Sequence, residues 1–185
     1  AEILKHSIIR DKSFFNWLKL NSKELIVKKN LNLLKISIYR SCKIKLYFVN
    51  KDVNENNVRM MLNFGHTFAH AIEAKNNFAK KINHGEAVLM GMMLATNLSF
   101  KKKLISRKTL LEITNIYEKN NINLKVSDFF KKNEYRQIVK FMISDKKNND
   151  KKINLILLKK IGKTTKPGNF KIKLNEMNRI FPKII

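Results

Sequence analysis

Three of the four histidines in this 185-residue chain, His66, His70 and His84, fall between Arg59 and Glu86, and that clustering asks for a chemical reason. If the segment through Glu73 is one helix, Arg59, Asn63, His66, His70 and Glu73 follow intervals of four, three, four and three and line one face. Val58, Met61, Leu62, Phe68 and Ile72 form an apolar stripe beside them. Such a helix packs along one side and presents a cation, an amide, two imidazoles and a carboxylate along the other. Imidazoles four residues apart on a helix suit a single metal ion, with a third ligand brought from elsewhere. His84 is the candidate, because it precedes Gly85-Glu86-Ala87-Val88, where a new apolar helix begins and its positive end favours a neutral imidazole. The competing reading is a set of surface or hydrogen-bonded core histidines.

Apolar residues make up 44% of the chain, enough at this length for one globular core. The single cysteine, Cys42, excludes an internal disulfide framework and a cysteine zinc cluster; a small buried hydrophobe in a reducing compartment is expected. No apolar run reaches bilayer length, and the Ala1-Glu2 start carries no signal-peptide pattern, so a soluble, cytoplasmic protein with no membrane partner is expected. The net charge of +25 would ordinarily point to nucleic acid, but the lysines are spread from end to end and no stacking platform accompanies them. That charge suits a small anionic substrate instead.

Taken in order, residues 1–9 read as a helix, with Glu2 three residues before Lys5 and four before His6. Residues 14–27 suggest one or two short helices capped by Ser13 and Ser22, with Trp17 as a packing anchor. The run from Leu31 to Val49 admits two readings. Leu34, Ile38, Cys42 and Lys45 follow a helical stripe, whereas Lys45 to Val49 alone passes for a strand. Asp52 to Asn57 is a polar connection, and Glu55 precedes Arg59 by one turn. Gly85 to Phe100 is apolar on nearly all sides, as a central buried helix should be, with Gly91 allowing close helix contact. Glu86 either steadies a ligand imidazole or complements the helix dipole. Residues 110–117 and 129–143 read as amphipathic helices, 153–158 as a strand, 161–168 as a turn and 174–180 as a last helix.

The stretch Leu62-Asn63-Phe64-Gly65-His66-Thr67-Phe68-Ala69-His70-Ala71-Ile72-Glu73, followed by His84-Gly85-Glu86-Ala87-Val88, closely resembles the metal-binding signature of the 3-dehydroquinate synthases. Phe64 and Ala69 stand where that family has leucine and glycine, and neither change removes a functional group. The opening Ala1-Glu2-Ile3-Leu4-Lys5 resembles the family's glutamate segment, with Ser7 in place of a frequent glycine, and Val53 and Asn57 depart from the usual acidic residue and glycine. The resemblance implies a mainly α fold: the multi-helix carboxyl-terminal domain of the dehydroquinate-synthase-like fold across residues 1–185, with a short strand or hairpin near the carboxyl terminus. It favours the helical reading of residues 31–49. The family's NAD-binding α/β half is expected upstream and is absent from this chain, whose five glycines form no phosphate loop.

By the same resemblance Glu2, His66 and His84 are the metal ligands, for zinc or possibly cobalt. Lys5 meets substrate, Lys45 and Arg59 bind its carboxylate, Asn63 donates a hydrogen bond, and Glu55 orients Arg59. His70 serves proton traffic and phosphate contact, and Lys146 or Lys147 reaches the phosphate. No residue of this chain is assigned to NAD, which the other half would hold. The implied reaction is that of a phosphate-eliminating lyase in the shikimate pathway of aromatic amino acid biosynthesis: DAHP, a small anionic phosphorylated substrate, gives 3-dehydroquinate and phosphate in a homodimeric enzyme. This half alone is expected to be inactive. A related sugar-phosphate cyclase with another substrate and a non-catalytic metal-binding remnant are the alternatives.

Overall fold

The computed structural model describes residues 1–76, 82–143 and 152–185, and their architecture is mainly α-helical. Helix α1 spans Glu2–Arg10, and α2, Lys12–Ile26, follows after a single residue. That residue, Asp11, is the cap: its carboxylate accepts from the Phe14 amide at 2.8 Å. The region is therefore one helix, not two, and neither serine caps it. Ser13 donates to Asp11 at 2.7 Å, while Ser22 lies buried within α2 and accepts from the Asn120 side-chain amide at 2.9 Å.

Helix α3, Leu31–Lys51, starts at Asn30, whose side chain accepts from the amides of Asn32 and Leu33 at 3.1 Å. It is helical throughout, which settles the ambiguous run. Its buried face is Ser37, Ser41, Ile44 and Phe48, whereas Ile38, Cys42 and Lys45 are exposed. Of the Leu34-Ile38-Cys42-Lys45 stripe, the last three thus lie on an outer face while Leu34 is half-buried, and Cys42 is not the buried hydrophobe expected. The difference is physical: α3 carries two apolar faces, and the one with small serines fits against α1 and α2.

The segment expected as one helix across Arg59 to Glu73 is broken. A 3-10 helix covers Val58–Asn63, Gly65 takes φ of 81°, and α4 starts afresh over His66–Lys75. A left-handed φ costs glycine little, so the reversal falls there. Helix α5, His84–Lys101, is the central helix the sequence implied, with ten of its residues buried. It crosses α4 at two glycines. A side chain at Gly91 would land on the Gly65 carbonyl oxygen, and one at Gly65 would sit 2.7 Å from the Met92 amide nitrogen.

Helix α6, Arg107–Lys119, caps on Ser106. The helix expected over residues 129–143 is shorter: 3-10 turns at Val126–Asp128 and Lys132–Glu134 precede α7, Tyr135–Phe141. Two small antiparallel ribbons follow. Strand β1, Lys152–Asn154, pairs with β4, Lys171–Lys173, and β2, Leu158–Lys160, pairs with β3, Lys163–Thr164. The single strand expected over 153–158 is interrupted at Leu155 to Leu157, which bury in the core. Helix α8 has the bounds the sequence suggested, Leu174–Ile180, and Phe181 beyond it stacks on Phe68 of α4 at 6.4 Å and meets Tyr135 of α7 edge-on at 5.7 Å. Those aromatic contacts anchor α4, and hence the histidines, to the carboxyl-terminal core.

Candidate metal centre

The glycine crossing sets two helix starts side by side, and each start carries a histidine. His66 is the first residue of α4 and His84 the first of α5, with ring centroids 5.9 Å apart. His70, one turn along α4, lies 5.6 Å from His66 and 6.4 Å from His84. Two imidazoles bound to one tetrahedral ion hold their centroids roughly 5 Å apart, given metal–nitrogen bonds of about 2.0 Å. The pairs are therefore within a small side-chain adjustment of sharing an ion, although among the described residues no three imidazole, thiolate or carboxylate groups already close on one point.

Hydrogen bonds distinguish the rings. His84 Nδ1 stands 2.8 Å from Glu73 Oε1, so its proton sits on Nδ1 and Nε2 keeps the lone pair. His66 Nδ1 faces the Phe64 carbonyl at 3.4 Å, and its Nε2 points toward Glu2 Oε1 at 4.0 Å. Burial, reinforced by the nearby Lys5 charge, pushes the His66 imidazolium pKa down to about 4, which keeps the ring neutral and able to donate its lone pair. Two carbonyl- or carboxylate-backed imidazoles plus a carboxylate make a donor set that suits a divalent ion of the zinc type.

Glu2 comes from the first turn of α1. Lys5 holds both its oxygens at 2.9 Å while itself buried, and His6 Nε2 lies 3.6 Å away. Burial would raise the Glu2 carboxyl pKa, but the Lys5 hydrogen bond and charge outweigh it and keep the group ionised. Burial lowers the Lys5 ammonium pKa against the pull of Glu2, and Lys45 on α3 is near enough for its charge to add to that lowering. His6 is buried, with Nδ1 on Ser41 Oγ at 2.7 Å and Nε2 without a hydrogen-bond partner. The sequence placed His6 one turn beyond Glu2 without saying whether it is buried; its burial follows from α3 packing over α1.

The 52–63 connection is organised by Asp52, which no motif singled out. Its carboxylate accepts from the amides of Asn56, Asn57 and Arg59 at 3.0, 2.7 and 3.0 Å. This fixes Glu55, whose carboxylate reaches Arg59 Nε at 3.5 Å and Asn63 Nδ2 at 3.1 Å, while Arg59 Nη1 donates to the Val53 carbonyl at 2.7 Å. Glu55 therefore contacts two of the residues expected to meet a substrate, Arg59 and Asn63. Glu86 takes the dipole side of its two readings: it forms a capping box with Asn83, at 2.9 and 3.0 Å, and the imidazole is steadied by Glu73 instead. Glu73 was visible on the histidine face, but pairing it with His84 requires the fold. Lys146 and Lys147 lie outside the described residues. No described helix is long and apolar enough to cross a membrane.

Residues 1–148 match the family model of the 3-dehydroquinate synthase carboxyl-terminal domain. Among relatives, the 3-dehydroquinate synthase of Pelagibacter ubique is 41% identical over 176 residues, covering 95% of this chain and 46% of the relative. That of Endomicrobium trichonymphae is 39% identical over 165 residues, covering 88% and 43%. The chain thus spans somewhat less than half the length of these relatives. In solved structures the same fold occurs in 2-epi-5-epi-valiolone synthase from Streptomyces hygroscopicus with NAD+ and Zn2+ bound, at a TM-score of 0.80 and 18% identity, over 99% of this chain and 49% of that one. It occurs also in 2-deoxy-scyllo-inosose synthase complexed with carbaglucose-6-phosphate, NAD+ and Co2+, at a TM-score of 0.75 and 19% identity, over 98% and 50%.

Proposed function

This chain belongs to the 3-dehydroquinate synthase family, of which it carries the carboxyl-terminal domain, and from that premise we propose that it is the metal- and substrate-binding half of a phosphate-eliminating cyclase converting DAHP to 3-dehydroquinate. The observation that carries the proposal is the pair of helix starts that bring His66 and His84 together with their Nδ1 atoms engaged, beside the ionised Glu2. Identity of 41% to a named 3-dehydroquinate synthase favours this substrate over those of the structural neighbours at 18% and 19%.

Glu2, His66 and His84 would hold the divalent metal, zinc or cobalt. When bound there, such an ion supplies Lewis acidity to adjacent substrate oxygens, and NAD, held mainly by the other half, supplies the transient oxidation that acidifies the neighbouring carbon. The chain's own residues do the rest. Lys5 balances the Glu2 charge and, once Glu2 turns to a ligand role, is freed to face substrate. Arg59 and Asn63, braced by Glu55, with Lys45 nearby, offer donors and positive charge to the substrate carboxylate. His70, exposed on the His66 face, takes or returns the proton moved as phosphate leaves, and Lys146 or Lys147 neutralises that phosphate. The assembled two-half protein is read as a cytoplasmic homodimer.

The test is zinc titration against a competing chelator. His66→Ala and His84→Ala should each weaken binding at least tenfold, while His70→Ala should leave it near the parent value but abolish turnover once the NAD-binding half is supplied. Equal affinity in all three variants would overturn the assignment.

A further inference from the structure

A cavity of about 270 Å³ lies where five helices converge, apart from the metal centre. Leu4 of α1, Leu18 and Leu25 of α2, Leu34 of α3, Leu89 of α5 and Ile116 of α6 line it. Glu2, Lys5 and His6 stand on one side of α1, whereas Ile3 and Leu4, which reach the cavity, stand on the other. The cavity and the metal centre are thus back to back across a single helix. Ile26, 53% exposed, also lines the cavity and marks where it opens to solvent.

Two polar side chains, Ser22 and Asn120, share this wall. Asn120, which ends α6, is only 9% exposed, and its amide nitrogen donates to the Ile116 carbonyl at 2.7 Å and to Ser22 Oγ at 2.9 Å. Those bonds use both amide protons and fix the group's orientation, since a turned-over amide would set Oδ1 against the Ile116 carbonyl. Asn120 Oδ1 is left buried with no hydrogen-bond partner among the described residues. A buried acceptor in that state calls for a donor. Water fills the role poorly, because an ordered molecule takes about two to four polar partners and this lining is otherwise almost wholly apolar. The Ser37 hydroxyl, also on the wall, is spent on the Leu34 carbonyl at 2.8 Å. Among the described residues no acidic or basic side chain lines the cavity, so a charged guest would lose its hydration without a counter-ion. A cavity of about 150 Å³ holds benzene, so this one has room for one or two rings. We infer that it binds a compact, neutral, apolar molecule of one- or two-ring size, carrying one O–H or N–H that donates to Asn120 Oδ1. This site requires neither the metal nor the reaction proposed above.

Phenol and toluene are the probes, since they share a shape and differ in the donor. Each is titrated into the methyl-labelled chain and followed by NMR at Leu4, Leu18 and Ile116, with Ile138 of α7 as a buried control outside the cavity. Phenol should shift the lining methyls saturably, with a Kd of about 1 mM or below, and leave Ile138 unmoved. Asn120→Leu keeps the volume and removes the acceptor, so phenol affinity relative to toluene should fall about tenfold while toluene stays within about twofold of its parent value. Leu25→Trp fills the cavity from a half-buried position, spares Asn120 and should weaken both probes at least about tenfold. Circular dichroism and urea unfolding establish that each variant is folded, and either variant alone decides the matter. Benzoate, the charged analogue, should bind at least about tenfold more weakly than phenol. The absence of a saturable shift with phenol overturns the inference and leaves the cavity to water. So does a phenol-to-toluene ratio unchanged in Asn120→Leu, or phenol binding undiminished in Leu25→Trp. Benzoate binding as tightly as phenol overturns it too, because that pattern marks general attraction to the lysine-rich surface.

Discussion

Substituting Gly91 by alanine should damage both the fold and the metal centre, because the α4–α5 crossing has no room for a methyl group. The added carbon would overlap the Gly65 carbonyl oxygen and stand 3.0 Å from the Ala69 amide nitrogen, and both are helix backbone that cannot rotate aside. That same carbonyl accepts the Ala69 amide at 3.0 Å in the first turn of α4. To reach an ordinary carbon contact, α5 must move by about 1 Å. Overpacking of this kind costs about 3 kcal/mol, the upper end of its usual range. Gly91 lies seven residues after His84 on the same helical face and packs against the residue preceding His66, so the displacement also separates the two rings, now 5.9 Å apart. Metal sites tolerate only about 0.2 Å, so zinc affinity should drop by about 100-fold. Gly85→Ala is the control: its methyl would meet only the Asn83 side chain, at 3.4 Å, and should be neutral or stabilising by up to about 1 kcal/mol. Urea unfolding and a chelator-competition zinc titration read both quantities. If Gly91→Ala stays within about 0.5 kcal/mol of the parent and binds zinc equally well, the crossing does not set the site.

Further outcomes follow from other contacts. Glu73→Gln should weaken zinc binding about 10- to 100-fold in the same titration, because the carboxylate that fixes the His84 tautomer is lost, while helix content stays unchanged. Asn83→Ala removes one side of the capping box on α5 and should cost about 1 kcal/mol in urea unfolding. In the metal-free chain, burial holds the His6 imidazolium pKa at about 4 against an ordinary 6.5, so the unfolded chain takes up its proton first. That stability is fully present above pH 6.5 and is lost as pH falls to about 4, by up to about 3 kcal/mol; unfolding midpoints of the parent should fall more steeply over that window than those of His6→Gln.

Much of this was legible in the chain itself, for reasons that differ by element. Helix α5 announces itself because it is apolar all round, and α8 because its start and stop signals are local. The histidines were found through spacing, yet their proximity does not come from the continuous helix that spacing implied. Gly65 breaks that helix, and the crossing with Gly91 brings His84 in from the side. On α3 the apolar stripe was real but faced outward, since periodicity identifies an apolar face without saying what lies against it. Ser22 looked like a cap because serine favours helix ends, whereas its partner, Asn120, is 98 residues away. Asp52 belongs to no motif, and Glu73, though it ends the histidine stretch, had no partner in the sequence; both roles exist only once loop and helix have folded around them.

The account depends on Glu2, His66 and His84 sharing one ion. X-ray absorption on the zinc-loaded chain, repeated for Glu2→Gln, His66→Ala and His84→Ala, measures that most directly. The expected result is a zinc shell of two imidazoles with oxygen donors, at about 2.0–2.2 Å, that loses one imidazole in each histidine variant and one oxygen donor in Glu2→Gln. A shell that keeps both imidazoles in His84→Ala, or that is indifferent to Glu2, would contradict it.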